Sequence, residues 1–394
     1  MEYRGLLNLI VIFSDGDAAN MKQCLGLASS LSDLTDAEIV SYDIPKLSGM
    51  RRFFAKLRIR QLLTWRKEEI LSWLSFAKGE SMLRGIGQLF SNMGIKECSP
   101  KVLLISAGSE AAPYHLAIGT LWQLTCASIG NPAHIGTRPF EFAIIPGYEA
   151  AQSAPNILKI VTPLNNVDRN TVKQEAALLK KQVRPNSKNV WSVLIDRDKK
   201  DCHTSVEKLK RNMDRLIKNA ELSDADLYIA VSENISRRCR ALMEKLSAEN
   251  DVIRYLRFMP EKDFTTIQAL TGIADYVFCT ENSVDIVSEV ITGGGEVVLL
   301  RTNDTKGLKT AIQKLKSKMI EHGGLSAVHA KGAVRNAIIY DRFKRHGKLD
   351  TFDEWMSSGN KTAIQYCLDD ETKIWQNFNE AERAAEWIAA SLAE

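Results

Sequence analysis

Short apolar runs alternate with helical hydrophobic patterns along most of this sequence, and this alternation constrains the fold more than any other feature. Strand-helix alternation of this kind predicts parallel sheets covered by helices on both faces. In the first half, we predict strands at residues 6–13, 38–42, 102–106 and 142–146, and helices at 18–32, 49–90 and 111–125. In the second half, we predict strands at 190–195, 227–232, 252–256, 276–279 and 296–300, and helices at 205–220, 237–247, 264–271 and 284–291.

The chain has 394 residues, which is too long for one ordinary domain and sufficient for two. Turn-rich segments at 162–166 and 184–187 interrupt the alternation, and we place an interdomain linker between them. The predicted fold class is therefore α/β, with a Rossmann-like N-terminal domain at 1–165, a second Rossmann-like domain at 186–335 and C-terminal helices at 336–394. A cleft between the two sheets is expected to bind ligands at the carboxyl ends of the strands.

Composition excludes several other classes of protein. The net charge of +4 is small for this length and does not indicate a nucleic-acid partner. The seven cysteines are dispersed without a Cys-x-x-Cys pair, which is typical of a reducing compartment and argues against a zinc site. No run of about 18 apolar residues is present, so we expect a cytoplasmic protein without a membrane span. We expect no metal ion, because the only pair resembling a metal-binding Asp-x-Asp motif is Asp196-x-Asp198, and we interpret it as part of a solvated loop. We also expect no cofactor.

The strongest local motif is the polar turn after the predicted strand at 276–279. Thr280, Glu281 and Asn282 lead into a helix for which Ser283 is the expected N-cap. Free backbone N–H groups and the helix dipole favour a phosphate at such a position. The ordinary alternative is a capped helix with a solvated Glu289.

A second motif follows the strand at 227–232. Ser232, Ser236, Arg237 and Arg238 lie at the carboxyl end of this strand, where an arginine fork could hold a pyrophosphate through paired hydrogen bonds. The alternative is a basic, solvated first turn of a helix, and the sequence favours neither.

Four segments resemble, in order, the elongated-mitochondria (mitochondrial fission) family. They lie at residues 15–28, at 106–108 with 131–132 and 140–146, at 155–157, and at 274–293. The bacterial members of this family are treated as glycosyltransferases of the GT-B fold. The sequence also departs from the family pattern, with Ala19-Asn20 in place of Gly-His and Asp196-Arg197 in place of a glycine pair. The resemblance therefore implies a divergent member.

The resemblance implies roles for particular residues. In GT-B enzymes, an acid at the position of Glu289 hydrogen-bonds to the ribose hydroxyls. The resemblance therefore implies that the second domain binds the nucleotide and the first the acceptor. The expected donor site consists of Thr280, Asn282, Ser283, Ser288 and Glu289. An inverting sugar transfer also needs a base that deprotonates the acceptor hydroxyl. Three carboxylates follow predicted strands of the first domain, and the choice among them stays open: Asp15, Glu110 and Glu149.

A basic segment at residues 46–78 contains nine lysines and arginines against two glutamates. Phe53, Phe54, Trp65 and Trp73 are interleaved with these charges. Such a helix is typical of an anionic membrane surface, and the alternative is a core helix with a basic outer face. We therefore expect peripheral association with the inner face of a membrane.

The leading functional hypothesis is a metal-independent glycosyltransferase that uses a nucleotide-sugar donor and a cell-envelope or lipid-linked saccharide acceptor. Two alternatives stay open at this point. One is a sugar-nucleotide epimerase on the same fold, and the other is a non-catalytic membrane-associated adaptor of the mitochondrial-fission type.

Overall fold

The computed structural model describes residues 3–58, 64, 66–95, 98–133, 135–147, 153–197, 203–260, 263–303, 333–359 and 377–394. The chain forms two compact units. The first contains residues 1–166 together with 379–394, and the second contains residues 167–378. The last helix of the chain therefore belongs to the first unit.

The first unit is built on a six-stranded parallel sheet in the order β2-β1-β3-β4-β5-β6. Its strands β1 and β3 are buried along their whole length, as expected for near-continuous apolar strands that helices cover on both faces. The strands are β1 Leu9–Ser14, β2 Glu38–Asp43, β3 Val102–Ala107, β4 Thr125–Ile129, β5 Phe142–Pro146 and β6 Ile157–Ile160. The helices are α1 Ala18–Thr35, α2 Gly49–Arg58, α3 Lys67–Phe76, α4 Glu80–Met93, α5 Ala112–Trp122 and α13 Glu380–Ala393.

The second unit repeats this architecture with the strand order β12-β11-β10-β7-β8-β9, again parallel throughout. Its strands are β7 Asn189–Ile195, β8 Ala225–Ser232, β9 Ile253–Met259, β10 Tyr276–Thr280, β11 Val297–Leu300 and β12 Leu349–Thr351. The helices are α6 Arg169–Gln182, α7 Val206–Leu222, α8 Arg237–Glu249, α9 Phe264–Ile273, α10 Val284–Thr292, α11 Ala333–Arg345 and α12 Phe352–Ser357. The predicted α/β class with two Rossmann-like sheets is confirmed.

Three local predictions are wrong. The expected long helix at 49–90 is three helices, and the break before α4 contains Lys78 at a φ of 61° next to Gly79. The segment assigned to a linker contains helix α6, whose valine and alanine positions pack against α9. Strands β4, β6 and β12 were not predicted, because β4 follows α5 after two residues, β6 has only four residues, and β12 has three and lies within the segment 336–394 that was assigned to helices.

Helix α6 comes very close to α9 at Gly272. A Cβ added to this glycine would lie 2.6 Å from the Val172 carbonyl oxygen and 2.8 Å from the Ala176 Cβ. The missing side chain therefore permits close backbone contact. Within the described residues, no helix is long and apolar enough to cross a bilayer.

Candidate functional site

Each sheet has one topological switch point, the place where successive strands are added on opposite sides of a central strand. In the first unit, β1 lies between β2 and β3, and in the second unit β7 lies between β8 and β10. Open α/β sheets bind ligands in the crevice outside the carboxyl ends of the strands at such points. The residues to consider are therefore those that follow β1 and β3, and those that follow β7 and β10.

Asp15 lies at the switch point of the first unit, immediately after β1. Its Oδ2 accepts a hydrogen bond from Asn20 Nδ2 at 2.8 Å, and its Oδ1 accepts one from the Asp17 backbone N–H at 3.0 Å. Asp17 is the N-cap of α1, so Asp15 itself forms the preceding Asx turn. The residue is half-buried at the carboxyl end of β1.

Gly108, just after β3, brings the two loops of this crevice together. Its φ is +82°, and an added Cβ would lie 2.6 Å from Asn20 Nδ2 and 3.4 Å from Asp15 Oδ2. A side chain here would therefore both strain the backbone and displace the Asp15–Asn20 pair.

The other two predicted bases differ from Asp15. Glu110 forms a salt bridge with Arg52, with 2.6 Å between Oε1 and Nη2, and this pairing raises the pKa of the arginine. Its carboxylate is therefore engaged by a cation at the surface. Glu149 lies outside the described residues.

His115 is a core residue, as its mid-helix position predicts. It stacks on Phe13 with ring centroids 5.6 Å apart, and its Nδ1 lies 2.8 Å from Ser106 Oγ. Complete burial lowers the pKa of the imidazole to about 3, so the ring is neutral at physiological pH.

The switch point of the second unit is closed by side-chain hydrogen bonds. The Asp196 backbone N–H donates to Thr280 Oγ1 at 3.1 Å, which ties the end of β7 to the end of β10. Asn282 Nδ2 donates to Thr204 Oγ1 at 2.8 Å, and the Asn303 N–H donates to Glu281 Oε1 at 2.8 Å. The loops after β7, β10 and β11 thus form one hydrogen-bonded layer.

Helix α10 begins where the sequence places it. Ser283 is the N-cap, and its Oγ accepts from the Ile286 N–H at 3.3 Å. Glu289 is 5% exposed and the preceding Ser288 is 1% exposed, so the solvated-glutamate alternative is wrong. Burying a carboxylate is costly unless it has compensating partners, so the burial of Glu289 makes it a candidate site residue.

The start of α10 is electrostatically acidic. Burial raises the pKa of the Glu281 carboxyl, and neighbouring Arg301 and Lys208 oppose that rise. Burial also raises the pKa of the Cys279 thiol, and Asp196 and Glu289 raise it further. A phosphate at this helix start would therefore meet several carboxylates despite the favourable helix dipole.

Hydrogen-bond acceptors are in excess at the same edge. Within the described residues, Asn282 Oδ1, Thr302 Oγ1 and Asn303 Oδ1 are buried and have no hydrogen-bond partner. Buried unpaired oxygens are costly, and a bound group with O–H or N–H donors would satisfy them. The chemistry of this edge is suited to a ligand rich in hydroxyl groups.

The residues after β8 have local structural roles. Ser232 Oγ accepts from the Asn234 N–H at 3.3 Å, and Ser236 Oγ caps α8 by accepting from the Cys239 N–H at 3.3 Å. Arg237 and Arg238 are exposed in the first turn of α8. The arginine fork therefore stays a prediction.

Sequence reasoning missed four residues of this layer, the first of which is Thr204, the partner of Asn282. Thr302 and Asn303 follow β11, so the rule that polar residues at strand ends line the crevice could have found them. Tyr340 belongs to α11, and its hydroxyl donates to the Glu281 carbonyl oxygen at 3.2 Å. No signal near residue 280 indicates this long-range contact. Among the described residues, no group of three His, Cys, Asp or Glu side chains could hold a metal ion.

The basic segment is divided between surface and core. On α2, Met50 is 69% exposed and Phe53 is 60% exposed. Trp73 is 1% exposed and its indole N–H donates to the Ala55 carbonyl oxygen at 3.2 Å, so its expected surface role is wrong. Trp65 lies outside the described residues.

The two units and their switch points define a two-domain α/β protein of the GT-B type. UDP-GlcNAc 2-epimerase from Methanocaldococcus jannaschii superposes with a TM-score of 0.55 at 9% identity, covering 98% of this chain and 100% of that one. A UDP-glucosyltransferase from Polygonum tinctorium gives a TM-score of 0.46 at 11% identity, covering 98% and 99%. A glycosyltransferase from Rickettsia africae ESF-5 gives 0.44 at 9% identity, covering 86% and 94%.

The sequence profile of the mitochondrial fission ELM1 family matches residues 18–392. The chain belongs to this family, and the resemblance expected from its four segments is confirmed. No curated protein sequence matches the chain.

Proposed function

We propose that this protein is a glycosyltransferase that takes a nucleotide-sugar donor at the switch point of its second unit. The observation that carries the proposal is the set of buried, unpaired acceptor oxygens on Asn282, Thr302 and Asn303. Ribose and sugar rings present hydroxyl donors, which such oxygens accept. The name of the Methanocaldococcus jannaschii neighbour, a UDP-GlcNAc 2-epimerase, supports the same ligand class.

Glu289 is the residue we assign to the donor ribose. It lies on α10, in the second turn after the Ser283 cap, and it is close enough to the Cys279 thiol to raise its pKa. A carboxylate accepts hydrogen bonds from two vicinal hydroxyls with its two oxygens. Thr280, Asn282, Ser283 and Ser288 complete the proposed donor site around it.

The diphosphate needs cations, and Arg301 and Lys208, which neighbour the start of α10, already act on Glu281. Because Glu281 and Asp285 flank the start of α10, we assign the phosphates to basic residues on neighbouring loops, with Arg237 after β8 as the first choice. Ser232 and Ser236 would then keep the α8 turn in place for that arginine, through the hydrogen bonds to Asn234 and Cys239.

Asp15 is the proposed base for the acceptor hydroxyl. It is half-buried at the switch point of the first unit, whereas Glu110 is paired with Arg52. Transfer would proceed as the acceptor oxygen attacks the anomeric carbon, the bond to the diphosphate breaks, and Asp15 takes the proton. The acceptor class, a cell-envelope or lipid-linked saccharide, stays part of the proposal.

The proposal is tested by thermal denaturation of the full chain in the presence of nucleoside diphosphates and nucleotide sugars. A ligand that binds only the native state at 100 times its Kd stabilises it by about 2.7 kcal/mol. One nucleotide class should raise the melting temperature, and nucleoside diphosphate should be released when an acceptor saccharide is added. The absence of any shift across the four common bases would contradict the proposal.

An epimerase is the second candidate, favoured by the likeness to the Methanocaldococcus jannaschii enzyme. An epimerase converts the sugar of its nucleotide sugar without any acceptor. Incubation with UDP-GlcNAc alone, followed by chromatographic separation of the sugar nucleotides, discriminates the two. A new UDP-sugar peak without an acceptor supports epimerisation, and strictly acceptor-dependent release of UDP supports transfer.

A membrane-associated adaptor is the third candidate, and the exposed apolar face of α2 together with the family name favours it. Met50 and Phe53 extend into solvent beside Arg51 and Arg58 on the same helix. Such a surface is suited to an anionic membrane. An adaptor would bind vesicles without turning over any nucleotide sugar.

A further inference from the structure

Helix α11 brings a further unpaired acceptor to the second unit. Asn336 is 7% exposed, and its Oδ1 atom is buried without a hydrogen-bond partner in the described part of the chain. A buried amide oxygen without a partner is costly, and proteins contain few of them. The oxygen would gain a partner from a bound group with an O–H or N–H donor. Asn336 is distant in sequence from the turn between β10 and α10, so no local pattern connects the two.

Tyr340 shows where this face of α11 lies. Its hydroxyl donates to the Glu281 carbonyl oxygen at 3.2 Å, just beyond the carboxyl end of β10. The residue is 8% exposed, and this burial raises the pKa of the hydroxyl well above its ordinary value of 10, with Cys279 and Glu281 raising it further. Tyr340 is therefore a neutral hydrogen-bond donor that ties α11 to the carboxyl edge of the sheet.

Asn336 lies on the same face of α11 as Tyr340, because residues four positions apart in a helix are neighbours on one side. Helix α11 ends at Arg345, and the chain enters β12 at Leu349, which pairs with the first residue of β11. The helix therefore runs from the carboxyl edge of the sheet towards the amino edge. Four residues of rise place the Asn336 backbone about 6 Å beyond that of Tyr340 on the carboxyl side.

The acceptors of the strand-end loops lie at this same edge. Asn282, Thr302 and Asn303 follow β10 and β11 and contain buried, unpaired oxygens. Helix α11 packs against α10, which begins directly after this turn. Buried acceptors therefore come to the carboxyl edge from the loops on one side and from α11 on the other.

Glu289, which we assign to the donor ribose, lies at a different depth. It follows Ser283 by six residues on α10, and this rise carries it about 9 Å from the carboxyl edge towards the amino edge. Asn336 lies at the carboxyl edge, and its Cβ is tilted further outward because side chains point towards the start of their helix. One ribose ring does not bind to both residues, so Asn336 is suited to another part of the ligand.

We propose that Asn336 is a specificity residue for the transferred sugar, whose hydroxyl or amide N–H donates to Oδ1. This inference rests on the proposed function and names the part of the donor that α11 contacts. The ionised diphosphate presents acceptor oxygens, which do not pair with Oδ1. A hexose or an acetamido sugar presents several donors. Tyr340, through its hydrogen bond to Glu281, holds α11 at the edge where the sugar binds.

Calorimetric titration of the full chain with UDP and with UDP-GlcNAc tests this inference, because the two ligands differ only by the sugar. For another base selected by thermal denaturation, the pair is its nucleoside diphosphate and its diphosphoglucose. Asn336→Leu keeps the branched shape of the side chain and removes the amide. It should weaken binding of the nucleotide sugar about five- to tenfold, the usual size for loss of a neutral hydrogen bond, and leave the diphosphate within about twofold.

The matched control is Asp341→Leu, which makes a similar change on the same helix. Asp341 is exposed and paired with Arg345, so both affinities should stay within about twofold of the wild type. Asn336→Ala should show the same split between the two ligands as Asn336→Leu. The melting temperature of Asn336→Leu without ligand should not fall, because an apolar side chain replaces an unpaired buried amide.

The outcomes distinguish this inference from the proposed function. An equal loss for both ligands would assign Asn336 to the nucleoside diphosphate, and unchanged affinity for both would assign Oδ1 to a water molecule. Either result overturns the inference while leaving the donor site at α10 intact. Wild-type protein that binds no nucleotide sugar would overturn the proposed function and this inference together. Glu289→Gln should weaken both ligands, since both contain the ribose.

Discussion

The two switch points share one topology and differ in chemistry. In the first unit, Gly16 and Gly108, both at positive φ, keep side chains away from the crevice and leave the Asp15 carboxylate at its surface. In the second unit no glycine follows β7 or β10, and Thr280, Glu281 and Asn282 fill the edge with hydrogen-bonded side chains. The edge of the first unit is suited to a solvent-accessible base. The edge of the second unit is suited to binding a ligand through buried hydrogen-bond acceptors.

The largest effect is expected for Asp15→Asn, which should lower turnover without changing donor affinity. Asp15→Asn keeps the shape of the side chain but removes the proposed base, and general-base contributions are typically 10²- to 10⁴-fold. Turnover of a nucleotide sugar with acceptor should fall by roughly that factor, while donor affinity stays within about twofold of the wild type. Glu110→Gln is the matched control, because that carboxylate is already paired with Arg52. A larger loss in Glu110→Gln than in Asp15→Asn would reverse the assignment.

The second prediction concerns acid stability, which should differ between the two units. Burial lowers the pKa of His115 to about 3, below its ordinary value of 6.5, so the unfolded chain takes up the proton first. The stability that the neutral ring contributes is fully present above pH 6.5 and is lost as the pH falls towards 3. The loss is roughly 1.4 kcal/mol per pH unit in this window.

Hydrogen exchange measured by peptide mass between pH 7 and pH 4.5 tests this difference. Peptides from β1 and β3 should lose protection, corrected for intrinsic exchange, faster than peptides from β7 and β8. His115→Gln should flatten the pH dependence of the first unit. In the described part of the second unit, His203 is exposed and His346 is half-buried, so the same slope in both units would contradict the interpretation.

The third prediction concerns the surface of α2. Reversing two charges with Arg51→Glu and Arg58→Glu should reduce binding to anionic vesicles by roughly twentyfold or more, since each basic residue near such a surface contributes about 1 kcal/mol. Lys180→Glu with Lys181→Glu on α6 makes the same charge change in the second unit and should have a smaller effect. Equal partitioning into anionic and zwitterionic vesicles, or no binding to either, would contradict the prediction that α2 binds anionic membranes.

The sequence predicts the long central strands of both sheets and misses strands β4, β6 and β12 and helix α6. Strands β1, β3, β7 and β8 are continuous apolar runs, and their burial on both faces gives a signal that local sequence carries. Helix α6 escaped prediction because its few buried positions, among them Val172 and Ala176, are surrounded by charged residues. Its stability comes from close packing against α9, which is a tertiary property.

Some features of the candidate site also follow from local sequence, and others depend on tertiary packing. The Ser283 cap and the strand-end positions follow from local patterns, because a polar residue between a strand and a helix has few other roles. The burial of Glu289 and the contact from Tyr340 depend on residues that pack from outside the local segment. Side-chain burial and long-range hydrogen bonds decide whether a polar residue is solvated or part of a site, and a local pattern contains neither.

The central claim is that the donor nucleotide binds to the second unit at α10. The direct measurement is a calorimetric titration of the full chain with the nucleotide that stabilises it, repeated with Glu289→Gln, Ser283→Ala and Asp15→Asn. Loss of a hydrogen bond of roughly 1–3 kcal/mol should weaken binding about five- to 150-fold in Glu289→Gln and Ser283→Ala. Ser283→Gly, which costs the helix cap only a few tenths of a kcal/mol, controls for destabilisation of α10. Affinity should be retained in Asp15→Asn, and undiminished binding in both α10 variants would contradict the account.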